Sequence, residues 1–280
     1  MKKDYFTLNK NQILTLFEHN EYFSIEEIKV ILHSLKEQSL ISNSLSLDSF
    51  LLKLIDEGLI QKSINIRGHL KTRYTFNKTF NVLDFCNSLS KNTFFSMTTT
   101  LNIQGLTDFR NNYIFVSKER TKRVEQGSIN LIQENIDNAF KKKPKRTTAH
   151  DKIENYNIIL LEANNTNSFE IIKYNGYKIS SINRSFVEII SNIHYFQSSS
   201  RVIEVFSKIK DSLSIDIIYD VIDNFKFIYP YFQLAGYYLE RIGYSKDELL
   251  KFHSKKQNLK FYTEKNKDNY SFDSYWNIFY

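Results

Sequence analysis

Apolar residues recur at helical spacing through most of the first sixty positions, then switch to strict alternation. Ile13, Leu14, Leu16 and Phe17 fit a short first helix between residues 9 and 18. A second helix opens at Ser24, because Ser24 followed by Glu27 is a capping-box pattern, in which each side chain accepts from an otherwise unpaired first-turn amide. Ile25, Ile28, Ile31, Leu32 and Leu35 continue it as one apolar face. After the polar stretch Ser42, Asn43 and Ser44, a third helix opens at Ser46. It runs through Leu47, Phe50, Leu51, Leu54 and Ile55 to Gly58, a residue suited to a left-handed helix end. From Ile60 to Phe76 the even positions Ile60, Ile64, Ile66, Leu70, Tyr74 and Phe76 are apolar. The odd positions Gln61, Ser63, Asn65, Arg67, His69, Lys71, Arg73 and Thr75 are polar. The alternation predicts a hairpin turning near Arg67 and Gly68, with one buried face and one wet, basic face. Three helices and a hairpin in this order are the arrangement of a winged helix-turn-helix.

Beyond residue 78 the periods mix. Val82, Leu83, Phe85, Cys86 and Leu89 predict a helix, a second begins near Ser96, and Tyr113 to Val116 reads as a strand. A helix from Ile129 to Phe140 precedes the cationic string Lys141, Lys142, Lys143, Pro144, Lys145, Arg146. Strands are expected at Asn157 to Leu161 and Phe169 to Tyr174, and Asn175-Gly176 turns the latter into Tyr177 to Ser180. Ser185 to Phe252 is mostly helical, with breaks around Ser198 to Ser200 and at Pro230. The last residues carry Tyr270, Phe272, Tyr275, Trp276, Phe279 and Tyr280, and no internal repeat is present. The expected class is therefore α+β: a winged helix-turn-helix over 1–78, a mixed α/β domain over 79–253 ending in helices, and an aromatic C-terminal tail over 254–280.

Composition supports a folded chain. Its 280 residues are 41% hydrophobic and 15% aromatic, with 2 Pro and 7 Gly, which leaves little for long linkers. The single cysteine, Cys86, excludes an intramolecular disulfide, Met1 to Asp4 lack a secretory apolar run, and no apolar stretch is long enough to span a bilayer. A cytoplasmic location without a membrane partner is expected. The net charge of +7 suits a polyanion only where the cations cluster.

They cluster twice. In the first 78 residues the third helix would enter a major groove and the hairpin would follow a phosphate track. Ser44, Ser46, Ser49 and Lys53 lie at or along the helix, and Arg67, His69, Lys71 and Arg73 on the hairpin. A protein-binding winged helix is the bland reading of the same pattern, and Asp48 on the outer face suits it better than DNA. Lys141, Lys142, Lys143, Lys145 and Arg146 are either a solvated loop or a second set of backbone contacts. Catalytic constellations are not visible. His19, His33, His69, His150, His194 and His253 show no metal-ligand spacing, and phosphate-cradling glycine loops and a nucleophile elbow are missing. No catalytic residue, metal or cofactor is expected. Asp216, Asp220 and Asp223 at helical spacing read as one solvated face rather than a metal cluster, and Arg184, near a helix start, reads as a salt-bridge or carbonyl clamp.

Three segments resemble the AbiEi family of antitoxins, from type IV toxin–antitoxin and abortive-infection operons. They are Phe95 to Thr107 (FSMTTTLNIQGLT), Ile179 to Glu188 (ISSINRSFVE) and Leu234 to Gly243 (LAGYYLERIG), whose order and spacing also agree. Ser185 and Glu188 stand where that family usually has Thr and Asp, and Ser198-Ser199-Ser200 replaces its Gly-Gly. The resemblance implies a winged helix that represses its own operon at inverted repeats in double-stranded DNA. It also implies a C-terminal domain that neutralises a nucleotidyltransferase-like toxin, often without a stable complex. A second expectation is an interaction module whose winged helix and aromatic tail hold a toxin or another phage-defence protein directly; an enzyme acting on nucleotides or the toxin is a third.

Overall fold

A computed structural model describes residues 4–18, 21–107, 112–122, 131–196 and 198–280. The architecture is mixed α+β and divides into two compact units, residues 1–91 with 149–158, and 92–148 with 159–280.

The first unit begins with α1 (Tyr5–Leu8) and α2 (Lys10–Thr15), followed by α3 (Ile25–Glu37) and α4 (Leu47–Asp56). Both expected helix starts are present. Ser24 and Glu27 form the reciprocal capping box, and the Ser46 hydroxyl accepts from the Ser49 amide at 3.1 Å. Strands β1 (Ile60–Ile66) and β2 (His69–Thr75) pair antiparallel, and Phe23 adds an antiparallel bridge to Tyr74. Phe6, Ile13, Phe23, Ile28, Leu35, Phe50, Leu54 and Tyr74 are core residues of this unit. Helix α5 (Val82–Ser88) belongs here too, through Phe85 edge-on to Tyr22 at 5.6 Å, so the unit runs past the expected boundary at residue 78.

The hairpin corrects one expectation. Its register pairs Ile60 with Thr75 and Ile66 with His69, so partner numbers sum to an odd value throughout. Cross-strand partners share a face. The two-residue turn therefore puts the even positions of β1 opposite the odd positions of β2, and one apolar face across both strands is impossible. Ile64 and Ile66 are buried on the face that carries His69, Lys71 and Arg73. Tyr74 is buried on the other, and Leu70, opposite exposed Asn65, is 67% exposed. Ile55, expected inside, is also exposed.

The second unit holds β3 (Thr93–Phe95), α6 (Met97–Ile103), β4 (Tyr113–Glu119) and α7 (Gln133–Lys141). The chain passes through β5 (His150–Ile153) and β6 (Tyr156–Ala163), then β7 (Ile171–Tyr174) and β8 (Tyr177–Ser180). The sheet order is β5-β6-β4-β3-β8-β7; β5 and the first residues of β6 count with the first unit. β3 runs parallel to β8 and antiparallel to β4. The expected helix at Ile129 appears from Gln133, residues 129 and 130 lying outside the described set, as does His19.

Helices α8 (Ile182–Ser191), α9 (Ser199–Lys208), α10 (Ile215–Phe225), α11 (Tyr231–Ile242) and α12 (Leu250–His253) follow, then the short strands β9 (Phe261–Tyr262), β10 (Phe272–Asp273) and β11 (Ile278–Phe279). The aromatic end is no free tail: Trp276 and Ile278 are fully buried in the second unit's core. Gly236 explains the fit. A Cβ there would lie 2.2 Å from the Trp276 ring, so only glycine lets the indole reach the α11 backbone. Among the described residues no helix is long and apolar enough to cross a membrane.

Candidate nucleic-acid interface

Amphipathic patterning places α4 with Phe50 and Leu54 inward, which leaves its N-terminal turn and outer face in solvent. Ser44 is exposed and shares a hydrogen bond with Ser42 at 2.8 Å. The Ser46 and Ser49 hydroxyls bond each other at 2.9 Å while Ser46 caps the helix. Lys53 is not an open cation. It pairs with Asp4, whose carboxyl is held down to about 2 chiefly by that hydrogen bond and then by the Thr7 amide. The rest of the outer face is poorly suited to phosphate: Asp48 and Asp56 are exposed, with Leu52 and Ile55 between them.

The hairpin cations divide likewise. Arg73, expected to contact DNA, is half-buried and folded inward. Its Nε and Nη2 donate to the Ser88 carbonyl at 3.1 and 2.7 Å, and Nη1 to the Thr72 carbonyl at 2.7 Å. A planar fork that saturates two carbonyls locks α5 to β2 and has little left for a phosphate. Arg67 and His69 are exposed at the turn and Lys71 is partly so; among the described residues none of the three has an acidic partner. Arg67 adopts φ +53 and Gly68 φ +83, the left-handed pair of a tight hairpin turn.

In the second unit Lys141, Lys142, Lys143, Lys145 and Arg146 are exposed. Arg146 is anchored, its Nη2 donating to the His194 carbonyl at 3.1 Å with the guanidinium 5.7 Å from the Tyr195 ring. The lysines have no ion pair among the described residues. Lys142, Lys143 and Lys145 border a cavity of about 350 Å³ whose floor is aromatic, a feature that periodicity could not show.

The three segments that carry the family resemblance meet in the core of this unit, α6 packing on α8 and α8 on α11. Arg184, in the first turn of α8, is fully buried. Its Nε donates to Glu188 at 2.8 Å, and Nη1 donates to Glu119 at 3.1 Å and to the Phe169 carbonyl at 2.6 Å. The rings of Phe94 and Phe225 lie 4.9 and 5.1 Å from the guanidinium. Glu188 also accepts from the Met97 amide at 3.1 Å and from Ser180. Arg184 is thus a salt-bridge and carbonyl clamp, as its position suggested.

Neither a family model nor a curated protein matches the chain. The fold is similar to that of RV2827C from Mycobacterium tuberculosis, known from a crystal structure, with a TM-score of 0.59 over 98% of this chain and 91% of that one at 10% identity. At that identity the likeness is one of fold. Among the described residues no group of three His, Cys, Asp or Glu side chains could hold a metal. Asp216, Asp220 and Asp223 are exposed, with Asp216 paired to Lys251 and Asp223 to Lys226.

Proposed function

We propose that the first unit is a winged helix that binds double-stranded DNA, and that the protein is a transcriptional autorepressor and the antitoxin of a type IV toxin–antitoxin, abortive-infection system. The observation that carries the DNA reading is the hairpin tip, where Arg67, His69 and Lys71 face solvent without an acidic partner among the described residues. Arginine at φ +53 is an uncommon choice, since a left-handed residue with a Cβ costs roughly 1 kcal/mol and Asn or Gly is the usual occupant. Strain of this kind points to a use for the side chain. The Phe23–Tyr74 bridge supports the winged-helix reading, because it joins the segment before α3 to the outer hairpin strand. The antitoxin role rests on the three family-like segments.

The test is a fluorescence-anisotropy titration of the full chain with its own upstream DNA and with a scrambled duplex, at several salt concentrations. Binding that prefers the upstream duplex, with Arg67→Ala/Lys71→Ala lowering the logarithmic salt slope by about 2, supports the reading, since each neutralised phosphate contributes about 0.9. An unchanged slope refutes the assigned contacts. Co-expression with a nucleotidyltransferase-like toxin tests the antitoxin role by restored growth.

A second reading has its own observation. Leu52 is 62% exposed on α4 and Leu70 67% exposed on β2, and α4 carries Asp48 and Asp56 outward. Exposed apolar side chains beside outward acids suit a protein partner such as a toxin or another phage-defence protein. Stable capture of a co-expressed toxin, lost with Leu52→Ser, together with equal weak binding to both duplexes, would favour it.

A further inference from the structure

The lysine run borders a cavity whose remaining wall is built from residues far away in sequence. Phe140 at the end of α7, Tyr229 and Tyr231 around Pro230, and Phe261 and Tyr262 of β9 line it together with Lys265, whose Nζ lies 5.1 Å from the centre of the Phe140 ring. The rings brace one another: Phe140 stacks on Tyr262 at 5.1 Å, and Tyr229 stacks on Phe261 at 5.5 Å. The rim is pinned on both sides. Asn266 donates its amide to the Phe140 carbonyl at 2.7 Å, while the Thr147 amide donates to the Tyr195 hydroxyl at 2.6 Å and Arg146 to the His194 carbonyl at 3.1 Å.

Charge on this rim is uncompensated. Lys142, Lys143, Lys145 and Lys265 are exposed and have no acidic partner, and no carboxylate lines the cavity among the described residues. Two acids adjoining the lining are committed: Asp137 accepts from the Tyr262 hydroxyl at 2.8 Å, and Glu264 from the Ser199 amide at 2.6 Å. His194, in the same wall, has its pKa pushed down to about 4 by burial and then by the charges of Lys265 and Arg146. About 350 Å³ is within the range of small-molecule sites and is too little for a duplex.

We propose that this cavity binds a nucleoside triphosphate, the base lying among Phe140, Tyr229 and Tyr262 and the phosphates on Lys142, Lys143, Lys145 and Lys265. An anion with a flat aromatic moiety satisfies both halves of the site. Polyphosphate alone satisfies only the rim, and a neutral nucleoside only the floor. The inference is independent of DNA binding by the first unit, because none of its residues belongs there.

The test is isothermal titration of the full chain in EDTA with ATP, sodium tripolyphosphate and adenosine. Stacking is worth roughly 1–3 kcal/mol per base, so ATP is expected to bind about 5- to 150-fold tighter than tripolyphosphate, and adenosine far more weakly than ATP. Lys142→Ala/Lys265→Ala, a change confined to exposed side chains, should weaken ATP by about tenfold or more. Tyr229→Leu should bring ATP down to the affinity of tripolyphosphate. ATP binding that equals tripolyphosphate binding, that is indifferent to the lysine pair, or that is not detectable at millimolar concentration overturns the proposal.

Discussion

Replacing Arg184 by Met should unfold the second unit more readily than any surface change in the chain. The guanidinium is buried with both carboxylate partners nearly so, Glu119 and Glu188 having side chains 12% and 9% exposed. Methionine fills much of the volume between Phe94 and Phe225 but leaves both acids without their cation. Removing one member of a buried ion pair costs about 3–5 kcal/mol, mainly because the remaining charge is desolvated and unpaired. The loss is tempered, since Glu188 keeps the Met97 amide and Ser180, and Glu119 keeps Thr166 and Ser168. For a unit of this size each kcal/mol corresponds to about 2–4 °C, so the melting temperature should fall by roughly 6–20 °C. The single tryptophan, Trp276, lies in the core of the same unit and reports its unfolding by fluorescence. Arg184→Met/Glu188→Gln should recover part of the loss, because glutamine removes one stranded charge. A fall below about 2 °C for the single variant, or a double variant less stable than the single, would refute the view that unpaired charge dominates. Acid offers a second check. Burial pushes the Glu119 carboxyl up, but the Thr166 and Ser168 hydrogen bonds and the Arg184 charge outweigh it and leave its pKa below the ordinary value. A depressed carboxylate contributes stability above its unfolded pKa of about 4.5, and this is lost as pH falls through the folded value.

Other substitutions follow from the same contacts. Gly236→Ala places a methyl 2.2 Å from the Trp276 ring, and despite better helix propensity it should cost about 1–3 kcal/mol and alter the tryptophan emission. Arg73→Ala should lower the thermal stability of the first unit by stranding the Ser88 carbonyl, whereas Arg67→Ala leaves stability unchanged; differential scanning fluorimetry separates them, and equal effects would contradict the clamp. His194 is buried in its neutral form, so the unfolded chain binds the extra proton between about pH 6.5 and 4. Stability should decline as pH falls across that window, and His194→Gln should flatten the slope.

What was legible in the sequence was local. Ser24 with Glu27, Ser46 before an apolar stripe, Arg67-Gly68 and Asn175-Gly176 each encode their geometry within a few residues, and each element formed where its signal stood. Hairpin faces were not legible from alternation alone. Parity is carried across a turn only when the loop has an odd number of residues, and this one has two, so Arg73, paired with Lys62, shares a face with buried Ile64 and Ile66 rather than lying on a separate wet face. The aromatic end reads as a separate tail because the residue that admits Trp276 to the core, Gly236, lies forty positions earlier and has no side chain to advertise it. The cavity escaped for a similar reason: its floor joins Phe140 to Tyr229 and Phe261 across long separations, and no short motif spans them.

Counting cations therefore says less than asking which of them the fold already uses. Lys53 neutralises Asp4, Arg73 holds Ser88, Arg146 holds His194 and Arg184 holds two glutamates, so four attractive basic residues are structural. Of the basic candidates picked out from the sequence, those without an acidic partner among the described residues are Arg67, His69 and Lys71 at the β1–β2 tip in one unit and the lysines of the 141–145 run, three of which line an aromatic cavity, in the other. The two surfaces differ in kind. An exposed hairpin tip can track a duplex backbone, and an enclosed aromatic floor admits a base but no duplex. Arg67→Ala/Lys71→Ala should therefore change DNA affinity and leave ATP titrations untouched, and Lys142→Ala/Lys265→Ala should do the reverse. If the second pair instead reduces the salt slope for DNA and leaves ATP binding unchanged, the lysine run is a backbone contact and the cavity behind it is merely packing space.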